Sequence, residues 1–267
     1  MIPYSDADVR HRSFPVVNVV VIALNALVFL YELQLGGFGM LRGGGGMDIT
    51  LFFFKWGFIP EELTSGRSFQ FLDIVVDKLD IASLVPTWAT MFSSMFIHGG
   101  FLHFAGNMMF LWVFGDNVED RLGHFKYLVF YLLAGVAATL SQWAIGLHSE
   151  TPLIGASGAI SGVMGAYILL YPHNRINALI VFYFITVVRL PAVALLGLWF
   201  LWQLIQGLGS LAIPDQVSVA FFAHVGGFVA GVVMLAAYQL VTRQPVWPSR
   251  QRRQPWDHWY QSGRRPD

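Results

Sequence analysis

Four side chains in this sequence carry chemistry that their types and spacing make specific. Ser157 sits in Gly155-Ala156-Ser157-Gly158, and His224 in Ala223-His224-Val225-Gly226-Gly227. A serine at its free pKa is a poor nucleophile and needs an adjacent base. His224 is the base that would serve Ser157 as nucleophile. His103 and Asn107 stand four residues apart in the segment Ile97 to Asn107, hence on one face of a helix. Both can donate hydrogen bonds. Attack by a serine builds a tetrahedral oxyanion that needs such donors, and the backbone amide of Ser157 is a natural third. The chemistry indicated is acyl transfer. No His-Glu-x-x-His run exists. Zinc on His98, His103 and His224 would lack a nearby carboxylate base. Neither a metal nor a cofactor is expected.

The elements that must position these residues are membrane helices. Of the 267 residues, 55% are hydrophobic and 12% charged, against roughly 25% charged in an ordinary globular domain. The net charge of zero offers no basic field for phosphates, so nucleic acid is excluded as a partner. Cysteine is absent, which removes disulfides, zinc thiolates and a cysteine nucleophile. A span needs about 20 mostly apolar residues. Six stretches qualify: Phe14 to Leu35, Ser94 to Gly115, Phe125 to Gly146, Leu153 to Tyr171, Ala192 to Ile213 and Val219 to Val241. The expected fold is all-α, a polytopic six-transmembrane-helix bundle in the lipid bilayer.

Lys and Arg set the sidedness. Arg10 and Arg12 precede the first stretch, while Arg243, Arg250, Arg252, Arg253, Arg264 and Arg265 follow the last. Arg121 with Lys126, and Arg175 with Arg189, mark the internal cytoplasmic connections. Both termini are therefore expected in the cytoplasm. The chain divides into residues 1–13 as a cytoplasmic N-terminus, 14–241 as the six-span domain and 242–267 as a basic, disordered cytoplasmic tail. Residues 36–93 form a long outer loop. The apolar, β-branched segment Ile176 to Val188 is too short to span and is read as interfacial or re-entrant. With it set aside, the second, fourth and sixth stretches all enter from the outer side, so His103, Asn107, Ser157 and His224 lie at similar depth.

Packing supplies the proximity. Gly158-x-x-x-Gly162 and Ala223-x-x-x-Gly227-x-x-x-Gly231 are small-residue stripes of the kind that let membrane helices approach closely. In the outer loop, Gly43 to Gly46 reads as a flexible hinge. Pro60-Glu61-Glu62-Leu63 reads as a helix start in an element that braces the bundle from the outer leaflet. Asp116, Glu119, Asp120 and Arg121 read as a solvated cytoplasmic turn, and Trp199 to Trp202 as lipid-facing or interfacial. His98, five residues from His103, is expected to face elsewhere in a structural role. The fifth stretch is a candidate for lateral opening.

At these motifs the sequence resembles the rhomboid family of intramembrane serine proteases. The matching pieces are His98-Gly-Gly-Phe-Leu-His103-x-x-x-Asn107, Gly155-Ala-Ser157-Gly158 and Ala223-His224-x-Gly-Gly, in the family's order. The resemblance implies a Ser157–His224 dyad without a third carboxylate. It also implies an oxyanion hole of His103, Asn107 and the Ser157 amide. Substrates would be single-span transmembrane proteins cut near the outer membrane face, at small, helix-destabilising sites, and the location a cell (inner) membrane. The alternative is a non-proteolytic rhomboid-like protein that binds membrane clients. Two departures stand out. Ser161 occupies a position where many relatives have an aromatic stacked on the histidine, and Trp88-Ala89 stands near where many have Trp-Arg.

Overall fold

A computed structural model describes residues 2–8, 13–73, 78–83, 85–181, 185–212 and 219–247. Arg10, Arg12, the segment holding Asp215, and the tail from 248 onward, with its arginines, lie outside the described residues.

The chain opens with strand β1 (Ile2–Asp6) and then α1 (Val16–Gly36). A 3-10 turn (Gly37–Arg42) leads to α2 (Met47–Trp56), α3 (Pro60–Ser65), the short strands β2 (Phe71–Asp73) and β3 (Lys78–Asp80), and α4 (Thr87–Ser93). There follow α5 (Phe101–Leu122), α6 (His124–Ile145), α7 (Ser157–Leu170), the strands β4 (Arg175–Val181) and β5 (Ile185–Pro191), α8 (Ala192–Ser210) and α9 (Phe221–Val241). The molecule is mostly helical. Among the described residues, four helical segments are long and apolar enough to cross a membrane: Val16–Arg42, His124–Ile145, Ala192–Ser210 and Phe221–Val241. Helix α5 matches them in length but carries Asp116, Glu119, Asp120 and Arg121 in its last turns. Helix α7, with 14 residues, reaches only about 21 Å at 1.5 Å per residue.

Two ends of the bundle can be read from the contacts. At one end, β1 pairs antiparallel with β4, and β4 with β5. The Arg175 guanidinium meets Asp8 at 2.6 Å, and the Ser13 amide donates to Asp120. Arg121 donates to Gln244. At the other end, Phe58 and Leu153 form a bridge, Thr64 donates to the Leu147 carbonyl and the Gly155 amide donates to the Ser94 carbonyl. Helices α1, α5, α6, α7, α8 and α9 run between these ends in alternating directions. The segment Ile176 to Val188 is thus a β-hairpin at the first end. Its two strands pair with each other, and β4 pairs with β1, so the segment gives no span.

The structure corrects three sequence expectations. Asp116 to Arg121 is the end of α5, not a solvated turn. Glu119 is buried and accepts the Val17 and Asn18 amides at 2.9 and 2.7 Å, filling donors that the first turn of α1 leaves open. Asn18 in turn donates to the Leu111 carbonyl and accepts from the Tyr127 hydroxyl at 2.7 Å. This knot fastens α1, α5 and α6. The glycine run is also not a loose hinge. A Cβ on Gly100 would come within 2.8 Å of Gly43 Cα, so the run is anchored at Gly43 against the chain just before α5.

The third correction concerns where helices begin. The stretch Ser94 to Gly115 enters α5 only at Phe101, and Leu153 to Tyr171 enters α7 only at Ser157. The segment 36–93 does brace the bundle. Ile49 of α2 packs on Phe29 and Met40, and Trp143 of α6 donates to Thr64 of α3. Buried Glu62 accepts from the Phe69 amide at 2.8 Å and the Thr87 hydroxyl at 3.3 Å. Burial outweighs those donors and pushes its carboxyl above the usual carboxylate range.

The core runs along α7, which is buried over nearly its whole length. The small-residue stripes meet as expected. A Cβ on Gly227 would fall 2.2 Å from the Gly158 carbonyl oxygen, and one on Gly231 2.0 Å from that of Gly162. Helices α7 and α9 touch backbone to backbone.

Candidate active site

The sharp start of α7 is set by Gly155. Its φ of +122° belongs to glycine, and its amide is held by the Ser94 carbonyl at 2.8 Å. Two residues later Ser157 opens the helix. The first-turn amides of a helix have no intrahelical acceptor and carry the positive end of its dipole. The Ser157 amide is one of them.

His224 is the fourth residue of α9. The Ala223 amide beside it donates to the Gln142 carboxamide of α6 at 3.1 Å. The close α7–α9 contact brings His224 Nε2 to 2.7 Å from Ser157 Oγ, an unstrained hydrogen bond. On the other side of the ring, Nδ1 lies 2.8 Å from Gln203 Oε1 of α8. The Trp199 ring, one turn earlier on α8, lies 6.1 Å from the imidazole at an interplanar angle of 39°. Trp199 therefore faces the histidine rather than lipid, while Trp202 points outward. Ser161 does not replace the aromatic of the relatives. Its hydroxyl is buried and donates to the Ser157 carbonyl at 2.6 Å.

His103 and Asn107 occupy the first two turns of α5. The Gly99 amide donates to His103 Nδ1 at 3.3 Å. In a neutral imidazole this leaves the proton, and the capacity to donate, on Nε2. A Cβ on Gly155 would lie 2.8 Å from that Nε2 and 3.6 Å from Ser157 Oγ. The His103 donor and the serine oxygen thus border one small space, held open by the missing side chain. Asn107 is buried, and its Nδ2 has no hydrogen-bond partner among the described residues. An unsatisfied buried donor costs about 1–3 kcal/mol. A cavity of about 30 Å³ beside Ser157 is walled by small residues including Gly135, Ala138, Gly158 and Ala223.

His98 lies before α5, so helical spacing misplaces it. It is buried, its ring centroid 5.2 Å from that of His103 in an edge-on arrangement, and its amide donates to Glu32 at 2.9 Å. Glu32, an acidic residue within α1, and Gln203, an amide within α8, were the signals that sequence reading passed over. Among the described residues no group of three or more His, Cys, Asp or Glu side chains could hold a metal. The arrangement can transfer a proton from a hydroxyl to an imidazole and present donors to an oxyanion formed next to it.

A family model described as "Rhomboid domain" matches residues 86–240. Rhomboid protein 1, mitochondrial, of Saccharomyces cerevisiae is 31% identical over 175 residues, covering 63% of this chain and 46% of its own. Rhomboid protease AarA of Providencia stuartii is 29% identical over 176 residues, covering 60% and 59%. Rhomboid protease GluP of Bacillus subtilis is 34% identical over 88 residues, covering 33% and 17%. The chain spans about half or less of the length of most of these relatives. The matched segment runs from α4 through the Ser157 and His224 elements nearly to the end of α9, and the chain is a multi-pass membrane protein belonging to the rhomboid family.

Proposed function

We propose that the protein is an intramembrane serine endopeptidase with Ser157 as nucleophile and His224 as general base. The observation that carries this reading is the 2.7 Å bond from His224 Nε2 to Ser157 Oγ. Ser157 Oγ attacks the scissile carbonyl carbon as its proton passes to Nε2. The negative charge on the carbonyl oxygen is met by the Ser157 amide, His103 Nε2–H and Asn107 Nδ2–H. The imidazolium then protonates the departing amine, leaving an acyl-serine, and a water activated by the same imidazole hydrolyses that ester. The orphaned Asn107 donor supports its place in the oxyanion hole, because a charge formed there would supply its missing partner.

Substrates are single-span membrane proteins whose span reaches the dyad from the outer side. The small cavity beside Ser157 favours a small residue at the cut. Residues 14–241 form the six-span catalytic unit, with 36–93 outside and both termini, 1–13 and the basic tail 242–267, in the cytoplasm of an inner-membrane topology.

A fluorophosphonate probe tests the reading without knowledge of the substrate. Wild type should be labelled covalently, and Ser157→Ala and His224→Ala should not. Equal labelling of wild type and Ser157→Ala would sink the proposal. Labelling of none of them would turn attention to a client-binding protein without catalysis.

A further inference from the structure

The dyad has a neutral third partner. Gln203 Oε1, 2.8 Å from His224 Nδ1, is a carboxamide oxygen and can only accept. With the carboxamide so oriented, Nδ1 donates. A neutral imidazole has a single N–H, so Nε2 carries the lone pair. That lone pair faces Ser157 Oγ at 2.7 Å, as a general base requires. With the opposite tautomer, Nε2–H would point at the serine, and the hydroxyl could not pass on its proton.

We infer that Gln203 is a positioning residue that fixes the tautomer and plane of His224, in the place a buried carboxylate occupies in a Ser–His–Asp site. This rests on the dyad reading above. Gln203 is suited to hold a fixed direction. It is 9% exposed on α8, four residues after Trp199 and four before Gly207. Residues so spaced share a helix face. Trp199 leans on the imidazole ring, and a Cβ on Gly207 would lie 3.3 Å from Phe221 Cβ, so this face of α8 is the one turned toward α9. Trp199 bounds the ring and Gln203 holds its edge, which supplies the orientation that Ser161 cannot. A neutral acceptor also suits the location: it places no fixed charge in the bundle.

The experiment uses the full chain in detergent, comparing wild type with Gln203→Met, which keeps length without an acceptor, and Gln203→Glu, which keeps an acceptor oxygen. Fluorophosphonate labelling of Gln203→Met should slow by about 10- to 100-fold, between the loss of a neutral hydrogen bond and the full cost of a wrong tautomer. On a cleavable substrate kcat should fall with KM held, while Gln203→Glu recovers most of the rate. Nitrogen-15 NMR of histidine-labelled wild type should show His224 as the Nδ1–H tautomer, and Gln203→Met should lose that preference. Gln203→Met labelling at the wild-type rate, or both variants slowing equally, would overturn the inference. If Gln203→Met does not fold, the wild-type spectrum decides: a dominant Nε2–H tautomer rejects the role. Failure of wild type to label would reject the protease reading instead, a separate outcome from the tautomer measurement.

Discussion

At the scale of single residues, Asn107 is where stability and activity should part company. Its side-chain amide is buried with an unpartnered Nδ2. That arrangement is unfavourable in the resting protein, and under the proposed mechanism an anion formed beside Ser157 relieves it. Replacing it with Leu, of similar volume, removes the unsatisfied donor. Asn107→Leu should unfold at the same or a higher temperature than wild type in detergent, yet lose about 100- to 1000-fold in kcat, as for removal of one oxyanion donor. Thermal denaturation alongside peptide cleavage checks both halves; a destabilised variant with normal kcat would assign Asn107 to packing. His103 makes a related point. Its type and its spacing from Asn107 were legible in the sequence. Its donor direction was not, because that depends on the Gly99 amide at Nδ1, a contact made by chain outside the helix.

At the scale of elements, the glycine stripes of α7 and α9 were legible because small residues four apart have one evident use in a membrane helix. Helix starts were not. Apolar composition continues through Ser94 to Gly100 and Leu153 to Ala156 although the backbone there is not α-helical, and hydropathy does not register a turn held by Gly155 at positive φ. The hairpin of β4 and β5 was half legible: its length excluded a span, but its pairing with β1 depends on residues more than 160 positions away. Gln203 escaped notice because one amide in an apolar helix has no motif. The stripes give a graded test. A methyl group on Gly227 would fall 2.2 Å from the Gly158 carbonyl oxygen, whereas one on Gly106 of α5 meets nothing within 4 Å. Gly227→Ala should cost about 1–3 kcal/mol by overpacking and should slow fluorophosphonate labelling by parting Ser157 from His224. Gly106→Ala should be neutral or stabilising by up to about 1 kcal/mol, since alanine is the better helix former. Chemical denaturation of the two variants separates them; equal stability would mean that the α7–α9 contact gives way without cost.

For the whole molecule, positive charge and contacts arrive at the same division by different routes. The basic residues near 121–126 and 175–189 were assigned to one side because of their charge. The structure joins those regions through Ser13 to Asp120, Arg121 to Gln244 and Asp8 to Arg175. The loop around Ser149 and helices α2 and α3 gather at the opposite end, where α5, α7 and α9 begin with His103, Ser157 and His224. Starting all three helices from one end places His103, Asn107, Ser157 and His224 near one surface. This arrangement also predicts which face of the membrane a reagent must reach. The chain has no cysteine, so a single engineered one reports without background. Glu150 and His173 are exposed at opposite ends. In right-side-out vesicles a membrane-impermeant maleimide should label Glu150→Cys and spare His173→Cys, and detergent permeabilisation should make both reactive. The reverse pattern would put the dyad on the cytoplasmic side and invert the substrate orientation. Labelling of both without detergent would place Glu150 and His173 on one face, an outcome incompatible with helices that alternate in direction across the bilayer.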